Sequence, residues 1–129
     1  MKTKDIGDLG EKIAAKYLKS NKYKILAKNV HFSRNELDII AIPKRCGVIA
    51  FIEVKTRSVD EDMHSRFGVP SSSVTKRKQE RTITAARAYL AQNPKFKTLQ
   101  PRLDVIEIYL HKDNHKVLNI NHIENAFGV

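Results

Sequence analysis

Residues 35–57 place three charges inside two otherwise apolar runs: Asp38 in residues 37–42, and Glu53 and Lys55 in residues 48–56. Charged residues are poor strand formers and costly to bury, so their presence there asks for a chemical reason. Strand side chains alternate between faces, which puts Phe51, Glu53 and Lys55 on one side of the second run. Asp38, Ile40 and Ile42 share a side of the first. If the runs pair as an antiparallel hairpin across residues 43–47, one register sets Ile42 against Ile49 and Ile40 against Phe51. It also brings Asp38 opposite Glu53 and Glu36 opposite Lys55. A slip by one residue would send Asp38 to the other face. Two carboxylates this close repel each other unless positive charge lies between them. Lys55 alone can supply that charge, as a structural ion cluster. A hard divalent cation, magnesium or manganese, does so better, with oxygens from Asp38, Glu53, Glu11 and the Val54 carbonyl. Such an ion is a Lewis acid that acidifies bound water, and Lys55 can orient that water or hold a phosphate. The chemistry that follows is phosphodiester hydrolysis.

The elements that must position these groups follow from periodicity. Leu9, Ile13, Ala14, Tyr17 and Leu18 recur at helical spacing, predicting a first helix over about residues 8–19, with Lys12, Lys16 and Lys19 on its polar face. Glu11 borders the apolar arc of that helix. It can serve the helix end electrostatically or lean as a carboxylate toward a site at the edge of the core. Residues 23–32 read as a strand with Tyr23, Ile25 and Ala27 on one face, and residues 33–35 as a turn into the charged hairpin. A polar loop is expected over residues 58–66, closed by Phe67-Gly68-Val69-Pro70. Ser71–Ser73 offer N-caps for a second helix ending near Ala91, with Val74, Ile83, Ala86 and Leu90 as its buried stripe. Asn93-Pro94 stops that helix. Residues 102–110 and, more weakly, 116–123 complete the set. The expected fold is α/β, a mixed β-sheet flanked by helices in the order α-β-β-β-α-β-β. Its strand–helix–strand unit over residues 48–110 should have parallel strands.

At 129 residues the chain is expected to form a single domain, residues 1–129. Its 24 Lys plus Arg against 14 Asp plus Glu, a formal +10, favour polyanionic partners, nucleic acid above all. Arg57, Lys76, Lys78 and Arg81 are the phosphate-contact candidates, with Arg66 and Arg77 beside them. One cysteine, Cys46, excludes an internal disulfide framework. No segment approaches the ~20 apolar residues that span a bilayer, and no N-terminal run resembles a signal peptide. A cytoplasmic protein is expected.

Several motifs then fall into one pattern. They are Gly7-Asp8-Leu9-Gly10-Glu11, Asn35-Glu36-Leu37-Asp38-Ile39-Ile40, Phe51-Ile52-Glu53-Val54-Lys55-Thr56-Arg57, Phe67-Gly68-Val69-Pro70 with Val74 and Lys78, and Arg102-Leu103-Asp104-Val105-Ile106. Together they resemble the YraN-like family, small bacterial proteins akin to Holliday-junction resolvases within the PD-(D/E)xK nuclease superfamily. The resemblance implies a restriction-endonuclease-like core. It implies Asp38, Glu53 and Lys55 as the catalytic set, Glu11 as the helix-borne acid and Lys78 as a basic group near the substrate. It further implies magnesium or manganese as cofactor, branched or structured DNA as substrate, and a homodimer suited to a two-fold junction. The chain departs from the family pattern at Asn35, where glycine is usual. Asn tolerates the left-handed turn geometry.

Other polar residues have plainer readings. Asp104 beside Arg102 reads as a surface ion pair at a strand start. His111 and His115 bracket a turn without enough partners for zinc, and Cys46 reads as an incidental thiol. Two further functional classes stand beside the endonuclease. One is a non-catalytic nucleic-acid-binding protein that keeps the nuclease fold; the other is an interaction protein whose carboxylates form a structural ion network.

Overall fold

The alternation in the two charged runs is realised as a hairpin. In a computed structural model that describes residues 3–44, 47–60 and 75–127, β2 (Asn35–Pro43) lies antiparallel to β3 (Val48–Val59). Ile39 pairs with Ile52, Ile40 with Phe51 and Ala41 with Ala50. The register is the one in which both strands bury matched apolar faces; a slip by one would turn every side chain over.

The remaining strands are β1 (Tyr23–Phe32), β4 (Gln100–His111) and β5 (Val117–Phe127), giving one sheet in the order β1-β2-β3-β4-β5. Only β3 and β4 run parallel, paired from Val48/Gln100 to Val59/His111. Parallel neighbours need a crossover connection, and α2 (Lys76–Gln92) lies within it. On one face α1 (Thr3–Ser20) packs Ala14, Ala15 and Leu18 against Ile39, Ile52 and Ile106. On the other, Ala85 and Ala86 of α2 meet Ile40, Phe51 and Leu103. The α/β class, the mixed sheet between helices and the order α-β-β-β-α-β-β are therefore as the sequence predicts. No helix among the described residues is long and apolar enough to cross a membrane.

Several boundaries differ. α1 begins at Thr3, before Asp8. β3 runs on to Val59, so Ser58 and Val59 are strand, because β4 continues beside them to His111. The N-cap of α2 is Thr75, whose Oγ1 accepts from Lys78 N at 3.1 Å. Ser71–Ser73, Val74, residues 67–70 and Cys46 lie outside the described residues. Of the expected stripe of α2, Ala86 is buried and Ile83 and Leu90 pack half-buried against the same core, with Thr82 and Ala85 buried as well. β5 extends to Phe127. A bulge between Ile25 and Ala27 sends Ala27 to the α2 face while Tyr23 and Ile25 keep to the α1 face. Left-handed backbone in the β1–β2 turn falls on Ser33, φ 57°, and Asn35 needs none.

One close approach sets the position of the site. Gly10 of α1 lies against Thr56 near the end of β3. A Cβ there would collide with the Thr56 hydroxyl and come within 2.9 Å of its Cβ and Cγ2. Glu11, the next residue, is thereby brought to the strand ends. Gly10→Ala gains up to about 1 kcal/mol of helix propensity but forces overpacking that costs about 1–3 kcal/mol. We expect net destabilisation in urea denaturation, partly recovered when Thr56→Ala is added.

Candidate functional site

Four elements meet where the β2–β3 ladder ends: the first half of α1, the middle of β1, the start of β2 and the end of β3. They enclose a cleft of about 500 Å³ lined by Glu11, Glu36, Asp38, Glu53 and Lys55 among others. Asp38 sits just beyond the pair Ile39–Ile52, and its Oδ2 accepts the Val54 N–H at 2.8 Å. The side chain thus takes the place of a ladder bond and is fixed by it.

A defect in the β1–β2 ladder aims the acids. Lys28 pairs with Ile39 and Val30 with Leu37, while Asn29 and Asp38 between them are not paired. Asn29 adopts φ 52°. Across this step the alternation inverts: Ile39 packs on the α1 face, but Leu37 packs on the α2 face. Glu36 therefore turns toward α1, where Glu11 lies. Single oxygens of Glu11, Glu36 and Asp38 all fall within 4.8 Å of one another. This corrects the expected pairing of Glu36 with Lys55 across the hairpin. The Lys55 ammonium instead stands 3.4 Å from Glu53 Oε1, and Lys78 of α2 reaches the same oxygen at 3.7 Å. Glu53 is 6% exposed.

The electrostatics reflect this crowding. Burial first, then the Glu53 charge, with smaller contributions from Glu11 and Glu36, pushes the Asp38 carboxyl up to about 7 against the opposing hydrogen bond from Val54. Burial, and then the charges of Glu36 and Asp8, raise Glu11. Five carboxylates line the cleft, those of Asp8, Glu11, Glu36, Asp38 and Glu53, and all are hard oxygen donors, the type that magnesium or manganese takes. Their mutual repulsion is what a divalent ion would relieve, so the residues present fit such an ion.

That repulsion has a measurable consequence in the presence of chelator. With its ordinary value near 3.8 and its folded value at about 7, Asp38 binds a proton in the folded protein over a range where the unfolded chain has lost it. The associated stability is complete below about pH 4 and disappears as pH rises through about 7. Asp38→Asn keeps an acceptor for Val54 and removes the charge. Above pH 7 it should stabilise the metal-free protein by about 3 kcal/mol, and flatten the pH dependence, both read from urea melts at pH 5 and 8.

The other sequence-predicted residues are placed as follows. Arg57 continues the Glu53–Lys55 face, with Nε 3.6 Å from Oε2 of the fully buried Glu107. Asn121 donates to the other oxygen of Glu107 at 3.0 Å. Lys78 meets Glu53, whereas Lys76 and Arg81 are exposed on α2 and do not line the cleft. Asp104 is not at the surface: it is completely buried on β4, away from the cleft. Its oxygens take Arg102 at 2.9 and 2.8 Å, His122 Nε2 at 2.8 Å and the Asn125 N–H at 2.9 Å. Burial raises the Asp104 carboxyl, but the bonds from His122, Arg102 and Asn125 outweigh it and hold the group below the usual range. His111 accepts a turn N–H from Asp113. Sequence reasoning missed Glu36 and Asn29 as cleft residues. The available signals were an acid two residues before Asp38 and an Asn, a poor strand former, in mid-strand.

A family model described as "Uncharacterised protein family UPF0102" matches residues 10–108, a span that includes Glu11, Glu36, Asp38 and Glu53 of the cleft. The chain belongs to that family, the YraN-like family of the resemblance. Among UPF0102 relatives, one from Caldanaerobacter subterraneus subsp. tengcongensis is 44% identical over 124 residues, covering 96% of this chain and 95% of its own. One from Clostridioides difficile is 42% identical over 127 residues, covering 98% and 100%. One from Chlorobaculum parvum is 43% identical over 129 residues, covering 96% and 92%. Among solved structures, SfsA of Pyrococcus furiosus in complex with Ca2+ aligns at a TM-score of 0.39 and 16% identity. The alignment covers 98% of this chain and 65% of that one, so this UPF0102 chain spans less than two thirds of its length.

Proposed function

We propose that this UPF0102 protein is a metal-dependent endonuclease that hydrolyses phosphodiester bonds in nucleic acid, with branched or structured DNA as its substrate class. The observation that carries the reading is the gathering of Glu11, Glu36 and Asp38 beside the Glu53–Lys55 pair in one cleft of a +10 chain. A binding protein has no use for acids placed where phosphates must approach.

In this reading Asp38, Glu53 and Glu11 hold magnesium or manganese, and Glu36 joins them. The ion would supply Lewis acidity at a phosphate oxygen and lower the pKa of an attacking water. Asp38 is held in position by the Val54 N–H. Lys55, already at the Glu53 carboxylate, orients the water or meets the phosphate as a point charge. Lys78 supplies a second ammonium to Glu53 from α2. Arg57, steadied by Glu107, and the exposed Lys76 and Arg81 contact flanking phosphates and set affinity through counterion release. A homodimer that presents two clefts to a two-fold junction belongs to the same proposal.

One observation favours the non-catalytic alternative. Lys55 and Lys78 already neutralise part of the cleft without any metal. The test is incubation of the purified chain with four-way-junction and linear DNA in magnesium, manganese or chelator, with its mass followed by sedimentation. Metal-dependent scission that chelator abolishes is the expected result. Tight, metal-independent binding without scission of any substrate would replace the hydrolase by the binding protein.

A further inference from the structure

Asn29 is a neutral polar side chain set between two of the clustered carboxylates, Glu11 and Glu36. Its left-handed backbone, φ 52°, stands at the unpaired step of the β1–β2 ladder. That conformation is tolerated by Asn better than by most residues. With the amide nitrogen turned inward, Nδ2 donates to Glu11 Oε1 at 3.0 Å and to Glu36 Oε1 at 3.3 Å. One donor group then ties α1 to β2 and offsets the repulsion between two acids.

The same side chain rotated by half a turn presents its oxygen at that position. Its oxygen would then face the carboxylates of Glu11 and Glu36, an acceptor among acceptors. Without a cation this arrangement is repulsive. Around a hard ion it is the ordinary arrangement, because metal–oxygen distances of about 2.1 Å put neighbouring ligands about 3 Å apart in an octahedron. An amide offers both functions at one site, a donor at one end and an acceptor at the other, with no change of charge.

We propose that Asn29 is a two-way amide latch for the cation site: nitrogen inward on Glu11 and Glu36 when the site is free, oxygen inward as an added neutral ligand when a divalent ion binds. The proposal rests on the reading of the cleft as a cation site. It adds a positioning residue that also regulates loading, since the latch must release two hydrogen bonds before the ion is fully held.

The test is a titration with magnesium alone. The Asn29 side-chain amide is followed by nitrogen-15 NMR, and affinity by calorimetry, for the native chain, Asn29→Gly and Asn29→Asp. Glycine keeps the left-handed backbone and removes the amide. The native Asn29 NH2 signals should shift in a saturable manner. Asn29→Gly should bind magnesium about 10-fold more weakly. Asn29→Asp keeps an oxygen and loses the donor, so it should bind at least as tightly as the native chain yet melt lower in chelator, the gap closing as magnesium is added. Equal magnesium affinity of native protein and Asn29→Gly, with unshifted Asn29 amide signals, would overturn the latch and leave the cation site standing. If neither magnesium nor manganese binds the native chain, the cation site falls and the latch with it.

Discussion

Glu53→Gln is expected to lower metal-dependent cleavage by at least about 100-fold while leaving the fold intact. Glutamine keeps the volume of a side chain that is 6% exposed and can still accept hydrogen bonds from the ammonium groups of Lys55 and Lys78. It loses the negative charge that, in the proposed mechanism, helps hold the ion and polarise Lys55. The same substitution removes a repulsive charge from the path of the phosphates. DNA binding in chelator should therefore tighten while cleavage is lost. Single-turnover cleavage and binding measured on the same preparation check both signs. Unchanged cleavage would remove Glu53 from the site and point to a contaminating nuclease. Lys55→Ala should reduce cleavage too, but with weaker DNA binding, since it deletes a cation.

Asp104→Ala is expected to destabilise the protein by about 3–5 kcal/mol, a fall in melting temperature of more than about 10 °C. The carboxylate is completely buried and satisfies Arg102, His122 and the Asn125 backbone at once. Its partners extend the network, with Arg102 donating to the Tyr23 hydroxyl at 2.6 Å and His122 Nδ1 meeting Tyr17 at 3.1 Å. Removing the acid leaves a guanidinium that is only 15% exposed with the Tyr23 hydroxyl and Glu124 at 3.8 Å as partners, and frees contacts joining α1, β1, β4 and β5. The network does not line the cleft. Cleavage per folded molecule, measured well below the melting range, should thus be unaffected. A change in activity without a change in stability would reverse this assignment and place Asp104 in the catalytic machinery.

These two residues also mark how far the sequence can be read. Glu53 was legible because its placement depends on local rules. Period-two alternation assigns Glu53 and Lys55 to the face of Phe51, and the matched apolar faces of residues 37–42 and 48–56 fit the register observed, with Ile40 opposite Phe51. Helical spacing likewise brought Leu18 and Ala14 to the sheet and left Glu11 at the margin of that face. The order of elements followed, and so did the parallel pairing across the α2 crossover. Asp104 was not legible. Beside Arg102 it has the local pattern of an exposed ion pair, and only the arrival of β5 with His122 and Asn125, and of α1 with Tyr17, buries it.

The same division runs through the cleft. Sequence by itself determined which acids exist, which strands carry them and that Asp38 and Glu53 meet at one end of a hairpin, because periodicity and register are properties of short segments. Tertiary structure alone decided the rest. The unpaired Asn29–Asp38 step inverts the alternation on β2 and turns Glu36 toward Glu11. The contact of Gly10 with Thr56 brings α1 close enough for Glu11 to take part. Lys78 crosses from α2 to Glu53. A ladder defect belongs to two strands together and a helix-to-strand approach to two distant segments, so neither leaves a periodic signal in the sequence of one.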